Sequence, residues 1–154
     1  MYSEVCAVVR ARAMQSQDLE LYRALVEQAP DAMIFADPEG TIRLWNAKAE
    51  AIFGYTAGEA IGRNLDLIIP ENLRAAHWRG YHRSLTEGHT KSGGKAMVTR
   101  AAPKATGKLY VEMAFEIIRD PSQHVSGALA TARDITERYL AERARRTPQP
   151  PTTP

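Results

Sequence analysis

Cysteine occurs once, at Cys6. A single thiol excludes an internal disulfide and any cysteine-rich zinc site, and it makes a reducing, cytoplasmic setting the simplest expectation. An excess of charge of one sign is also missing. The 20 Lys and Arg against 18 Asp and Glu leave a formal net charge of +2, too little to argue for nucleic acid or an anionic membrane as a direct partner. No apolar run approaches the roughly 20 residues that a membrane helix needs. The apolar stretch Val5 to Val9 is followed, not preceded, by Arg10 and Arg12, the wrong order for a secretory signal. No nucleophile stands beside a base, no phosphate loop occurs and no metal cluster is spelled out, so enzymatic activity is not expected. No internal repeat of useful length appears.

What is present is a globular composition, with 154 residues, 44% hydrophobic and 25% charged, which suits one domain with flanking segments. Residues 1–17 read as an N-terminal extension, helical or disordered, 18–138 as the domain, 139–146 as an exit helix and 147–154 as a proline-rich disordered tail. Asp18 to Gln28 places Leu19, Tyr22, Leu25 and Val26 at helical spacing behind Asp18 as N-cap. Ala32 to Ala36 and Thr41 to Trp45 flank the turn residues Asp37-Pro38-Glu39-Gly40 and predict a β-hairpin. Asn46 then caps a short helix over Ala47 to Phe53, closed by Gly54, and another short helical turn covers Ala57 to Ala60. A longer helix opens at Pro70 to Asn72 and runs through Leu85. Three strands follow, Ala96 to Arg100, Leu109 to Ile118 and Gly127 to Arg133, before a polar helix over Ile135 to Arg146 with Asp134 or Thr136 as cap. In the middle strand Val111, Met113, Phe115 and Ile117 share one face, and Tyr110, Glu112 and Glu116 the other. Two strands, several short helices and three strands predict an α+β domain, a five-stranded antiparallel sheet with helices on one face.

These residues resemble a PAS domain over Leu21 to Arg138. The resemblance is carried by Ala29-Pro30-Asp31-Ala32 ahead of the first strand, Trp45-Asn46 before Ala49 to Tyr55, Glu59 to Arg63, Gly107 before Tyr110 to Met113, and the closing Arg133-Asp134-Ile135-Thr136-Glu137-Arg138. Each motif is weak alone; their order and spacing are specific. The resemblance implies a sensory and signalling module with a pocket between sheet and helices. Members of the family bind heme, flavin or small organic ligands, or serve without cofactor as dimerisation and relay units, so the fold leaves the ligand open.

A flavin photosensor of the cysteine-adduct type needs a thiol in the helices after the second strand, and a thioester chromophore needs one as well. Cys6 lies in neither place, and no Cys-x-x-Cys-His offers covalent heme attachment. Non-covalent heme b needs one imidazole directed into an apolar pocket. Arg74-Ala75-Ala76-His77-Trp78-Arg79-Gly80-Tyr81 resembles the proximal-histidine segment of the heme-binding members, except that Tyr81 follows His77 by four positions where the family pattern has three. Independently, Leu73, His77, Tyr81 and Leu85 recur along one helical stripe while Arg74, Arg79 and Arg83 lie largely elsewhere. Both an axial ligand and an ordinary core histidine satisfied by a backbone carbonyl fit that stripe. His82 falls off it, and His89 and His124 lie in loops, so these three are expected in solvent.

By the family register, Met97 falls where redox-sensing members offer a distal thioether, and Arg100 is the alternative distal hydrogen-bond donor. Met97 as plain core filling is the simpler alternative. Tyr81, Ile69, Met113, Phe115 and Leu129 are candidate pocket residues, and the loop Lys91 to Lys95 offers cations at the rim or is an ordinary mobile loop. The resemblance further implies a homodimer through the terminal helices and a response to oxygen, another diatomic gas, a small ligand or redox state. Its output would be a kinase, cyclase or transcription-regulator domain outside these residues.

Overall fold

The structure, a computed structural model, describes residues 16–146. Cys6, the extension before Ser16 and the tail beyond Arg146 lie outside the described residues. Five strands, β1 (Ala32–Ala36), β2 (Ile42–Trp45), β3 (Met97–Ala101), β4 (Leu109–Arg119) and β5 (Val125–Asp134), form one sheet in the order β2-β1-β5-β4-β3, with antiparallel pairing throughout. The last strand in sequence thus takes the centre. Helices α1 (Ser16–Glu27), α2 (Ala47–Phe53), α3 (Ala57–Ala60), α4 (Glu71–Glu87) and α5 (Thr136–Arg146) and a 3₁₀ turn at Leu65–Leu67 complete the fold. This is the predicted α+β arrangement.

Local chemistry explains the boundaries. The β1–β2 turn is closed by Gly40 N–H donating to the Asp37 carbonyl at 2.8 Å and by Thr41 N–H donating to Asp37 Oδ1 at 2.9 Å. Gly40 adopts φ 81°, the left-handed region glycine enters without strain. Thr41 bridges to Asn64 instead of extending β2, so that strand starts one residue later than its sequence suggests. β3 is likewise displaced by one residue, and β5 is longer than expected at both ends. Helix α1 begins before Asp18, which therefore sits in the first turn and not at the cap, where its charge still favours the helix N-terminus. Helix α4 continues past Leu85 to Gly88, whose φ of 74° and N–H bond to the Ser84 carbonyl at 2.8 Å end it. Asp134 Oδ1 accepts from Thr136 N–H at 2.8 Å and starts α5.

The core lies between the inner face of the sheet and the segments linking β2 to β3. Ile34, Ile42, Phe53 and Val111 are almost wholly buried there, each worth about 1.5–3 kcal/mol of apolar burial. Asn46 is the exception in chemistry, being completely buried and polar. Its Oδ1 accepts from Met33 N–H and Ala49 N–H, and its Nδ2 donates to the carbonyls of Val26 and Asp31. One amide thereby joins the end of α1, the start of β1 and the start of α2, and Glu27 adds a bond to Ala47 N–H at 3.1 Å.

Candidate functional site

The inner face of the sheet is only partly filled. Ala36, Ala101, Ala128 and Ala130 present methyl groups where larger side chains would fill the gap, and a cavity of about 320 Å³ opens above them. Ile34, Phe53, Leu65, Ile68 and Met113 make its walls apolar. A second lobe of about 490 Å³ adjoins it toward the end of α4 and the following loop, with Arg83, Ser84, Thr90, Lys91 and Ser92 at its edge. The lobes share Ala76, His77, Tyr81, Met97, Phe115 and Ala128. Protein interiors are otherwise close-packed, and each volume lies in the range of ligand sites, about 300–1,000 Å³.

His77 stands where the two lobes meet. Helical periodicity puts Leu73, His77 and Tyr81 on the same side of α4, and all three line the inner lobe. The imidazole is enclosed by its own helix, stacked with Tyr81 at 5.7 Å between ring centroids and edge-on to Trp78 at 5.1 Å. Its Nδ1 is buried and has no hydrogen-bond partner. That distinguishes it from a core histidine satisfied by a carbonyl, because buried polar atoms are as a rule paired. Burial pushes the imidazole below its ordinary pKa; the Asp66 carboxylate acts in the opposite direction and His82 adds to the lowering. Burial therefore favours the neutral ring, the form that ligates a metal. Among the described residues no group of three or more His, Cys, Asp and Glu could hold a metal ion. An iron at His77 would have to bring its remaining donors with it, as a porphyrin does. The single neutral imidazole, the apolar walls and the double-lobed space fit that group.

The other predicted residues divide. Met97 and Met113 face each other in the β3–β4 register on the inner face of the sheet, and both line the inner lobe, although Met97 is 50% exposed at the open edge. Ile69 and Phe115 line the inner lobe. Tyr81 lines both lobes, but its hydroxyl is committed to the carbonyls of Ala36 at 3.1 Å and Asp37 at 2.6 Å. Burial first, then the charges of Asp37 and Glu39, push that phenol up to about 12. Arg100 reaches the lobe's rim, where it is exposed and donates to Asn72 Oδ1 at 2.8 Å. Leu129 is a correction. It lines neither lobe, since Ala128 and Ala130 take the inward positions and Leu129 pairs with Phe35 and Glu116 on the opposite face. Successive strand residues alternate sides, and the neighbouring alanines have the inward parity. His82, His89 and His124 are exposed, as predicted.

Sequence reasoning missed Trp78 and Asp66. Trp78 Nε1 donates to Asp66 Oδ1 at 2.8 Å behind His77. The only signal was an indole next to the candidate ligand. Arg74 joins them, donating to the Ile69 and Asp66 carbonyls.

The comparisons with known proteins follow this geometry. The family model described as the PAS fold matches residues 20–135. The chain is 28% identical over 127 residues to the Sensor protein FixL of Bradyrhizobium diazoefficiens, covering 81% of this chain and 24% of that protein. It is 36% identical over 73 residues to the Oxygen sensor protein DosP of Escherichia coli, covering 47% of this chain and 8% of that protein. The chain therefore spans a quarter or less of the length of these relatives. Among solved structures, the PAS domain of a protein from Colwellia psychrerythraea superposes with a TM-score of 0.67 at 22% identity, over 77% of this chain and 98% of that one. Among the described residues no helix is long and apolar enough to cross a membrane. With the family model matching residues 20–135, most of the chain, and the fold superposing on a solved PAS domain, this protein belongs to the PAS family.

Proposed function

We propose that this PAS domain is a cytoplasmic, non-catalytic sensor that holds heme b through His77 and responds to oxygen, another diatomic gas or redox state. The observation that carries the reading is a His77 ring that lines both lobes of an otherwise apolar cavity. The oxygen-sensor name of the Escherichia coli relative supports it. Bound heme would supply an iron able to bind a diatomic gas or to change its oxidation state. The chain's own residues do the rest. His77 offers a neutral imidazole, Met97 offers a thioether from the sheet side, and Ile69, Met113 and Phe115 keep water from the apolar walls. Exposed Leu19, Leu21, Tyr22 and Leu25 on α1 and Leu140 on α5 suit a homodimer through the terminal helices, with output to a kinase, cyclase or transcription-regulator domain.

Titrating the purified chain with hemin tests the reading. A sharp Soret band that disappears in His77→Ala and persists in His82→Ala is expected. A spectrum no different from free hemin ends the heme proposal. The enclosed apolar wall formed by Ile34, Phe53, Leu65 and Met113 favours a second reading, a small organic ligand in the inner lobe. In that case a bound apolar molecule would survive His77→Ala.

A further inference from the structure

Trp78 follows His77 directly, yet it lines neither lobe. Its indole reaches back to the β1–β2 turn, where a Cβ built on Gly40 would fall 2.1 Å from Trp78 Cη2 and 2.5 Å from Cζ3. The ring thus occupies the space that any other residue's side chain would need. Its Nε1 is fixed by Asp66 at 2.8 Å, and Asp66 is itself steadied by Arg74 at 3.7 Å. Gly40 also gives its carbonyl to Leu65 N–H at 3.0 Å, so the turn and the 3₁₀ segment are tied to each other beneath the indole. Further along α4, the Tyr81 hydroxyl is held by carbonyls at the start of the same turn. Two points on one helix anchored to one hairpin fix its rotation. Because each residue turns a helix by about 100°, a slip of one position would carry the imidazole off the cavity wall.

We infer that Trp78 is a positioning residue of the His77 site: seated on Gly40 and bonded to Asp66, it sets which face of α4 meets the cavity. The consequence for heme rests on the proposed function; the placement of the imidazole does not.

The test follows the His77 ring by ¹⁵N NMR in the full chain during pH titration, in wild type, Trp78→Phe, Trp78→Ala and Asp66→Asn. His77 in wild type is expected to titrate below the ordinary 6.5. Trp78→Phe keeps an aromatic ring and loses the bond to Asp66, and should move the titration part of the way back; Trp78→Ala should move it further. Asp66→Asn keeps an acceptor for the indole and removes only the charge, so His77 should shift down, not up. An unchanged His77 titration in Trp78→Phe, with dispersed amide spectra showing an intact fold, overturns the inference, and this variant decides the matter should Trp78→Ala fail to fold. With hemin as the second probe, Trp78→Phe should weaken binding by about 10- to 100-fold, the usual effect of removing a group that orients a ligating histidine. If wild type takes up no hemin, the heme reading falls and the His77 titration still decides the role of Trp78.

Discussion

Replacing Asn46 by alanine should be among the most damaging single changes in this domain. The side chain is fully buried and uses its whole amide. Oδ1 accepts at 2.9 Å from Met33 N–H and at 3.0 Å from Ala49 N–H, while Nδ2 donates at 2.9 Å to the Val26 carbonyl and at 3.1 Å to the Asp31 carbonyl. Truncation leaves the Met33 and Ala49 N–H groups and the Asp31 carbonyl without their partner, while the Val26 carbonyl keeps a bond from Ala29 N–H at 3.4 Å. An orphaned buried group costs about 1–3 kcal/mol, and the Ala49 bond is also the N-cap of α2, worth about 1 kcal/mol. Three of the four bonds are only partly buried, so water recovers some of the loss, and the expected total is about 3–5 kcal/mol. Against the roughly 5–15 kcal/mol that holds a domain together, this is at least about a fifth. Urea unfolding followed by circular dichroism should show the midpoint falling at unchanged slope. Asn46→Asp keeps an acceptor but points a carboxylate oxygen at two carbonyls, and should lose at least as much. A loss below about 1 kcal/mol in the alanine variant, or an aspartate variant as stable as wild type, would refute the view that this amide joins α1 to the core.

His77→Leu removes the unpartnered Nδ1 and should leave the ligand-free protein equally stable or more stable by about 1 kcal/mol, a rise of about 2–4 °C in Tm, while abolishing hemin uptake; a clear fall in Tm would mean that the imidazole is a structural partner. The same pair of proteins tests the pH dependence. Because the folded imidazole sits below its unfolded value of 6.5, the unfolded chain binds the proton first, so wild-type stability should drop as pH falls from about 6.5 through the depressed folded value. That component should be missing in His77→Leu, as read from urea midpoints at each pH. Ala130→Leu places an isobutyl group on the cavity floor, so it should cut hemin binding by more than about tenfold while changing stability by less than the 1–3 kcal/mol usual for overpacking a full core. Retained binding would put the ligand elsewhere.

The hairpin, the short helices and the alternation in β4 were legible because turn chemistry and large apolar side chains marked them. The inner face of β5 was not. In Gly127-Ala128-Leu129-Ala130-Thr131-Ala132 the only large apolar residue is Leu129, and hydrophobicity alone drew it inward. The inward positions are alanines, whose methyl groups leave the cavity above them open, so the large apolar side chains by which a buried strand face is normally recognised are missing there. The stripe of His77 was readable from spacing within one helix. The anchoring of that helix was not, since Trp78 acts through Gly40 and Asp66, brought beside it only by the folded chain. Met97 lines the inner lobe, and its exposure depends on β3 being an edge strand of the sheet, a fact of topology that no local pattern encodes.

The alanine floor also bears on how such a domain diverges. Four methyl groups, at Ala36, Ala101, Ala128 and Ala130, separate a hollow domain from a solid one. Lineages that gained bulk at these positions would retain the sheet, its register and the terminal helices while losing the chamber. Receptor and inert scaffold would then be neighbours in sequence space, a few codon changes apart, and descent alone would not tell which of the two a given descendant had become.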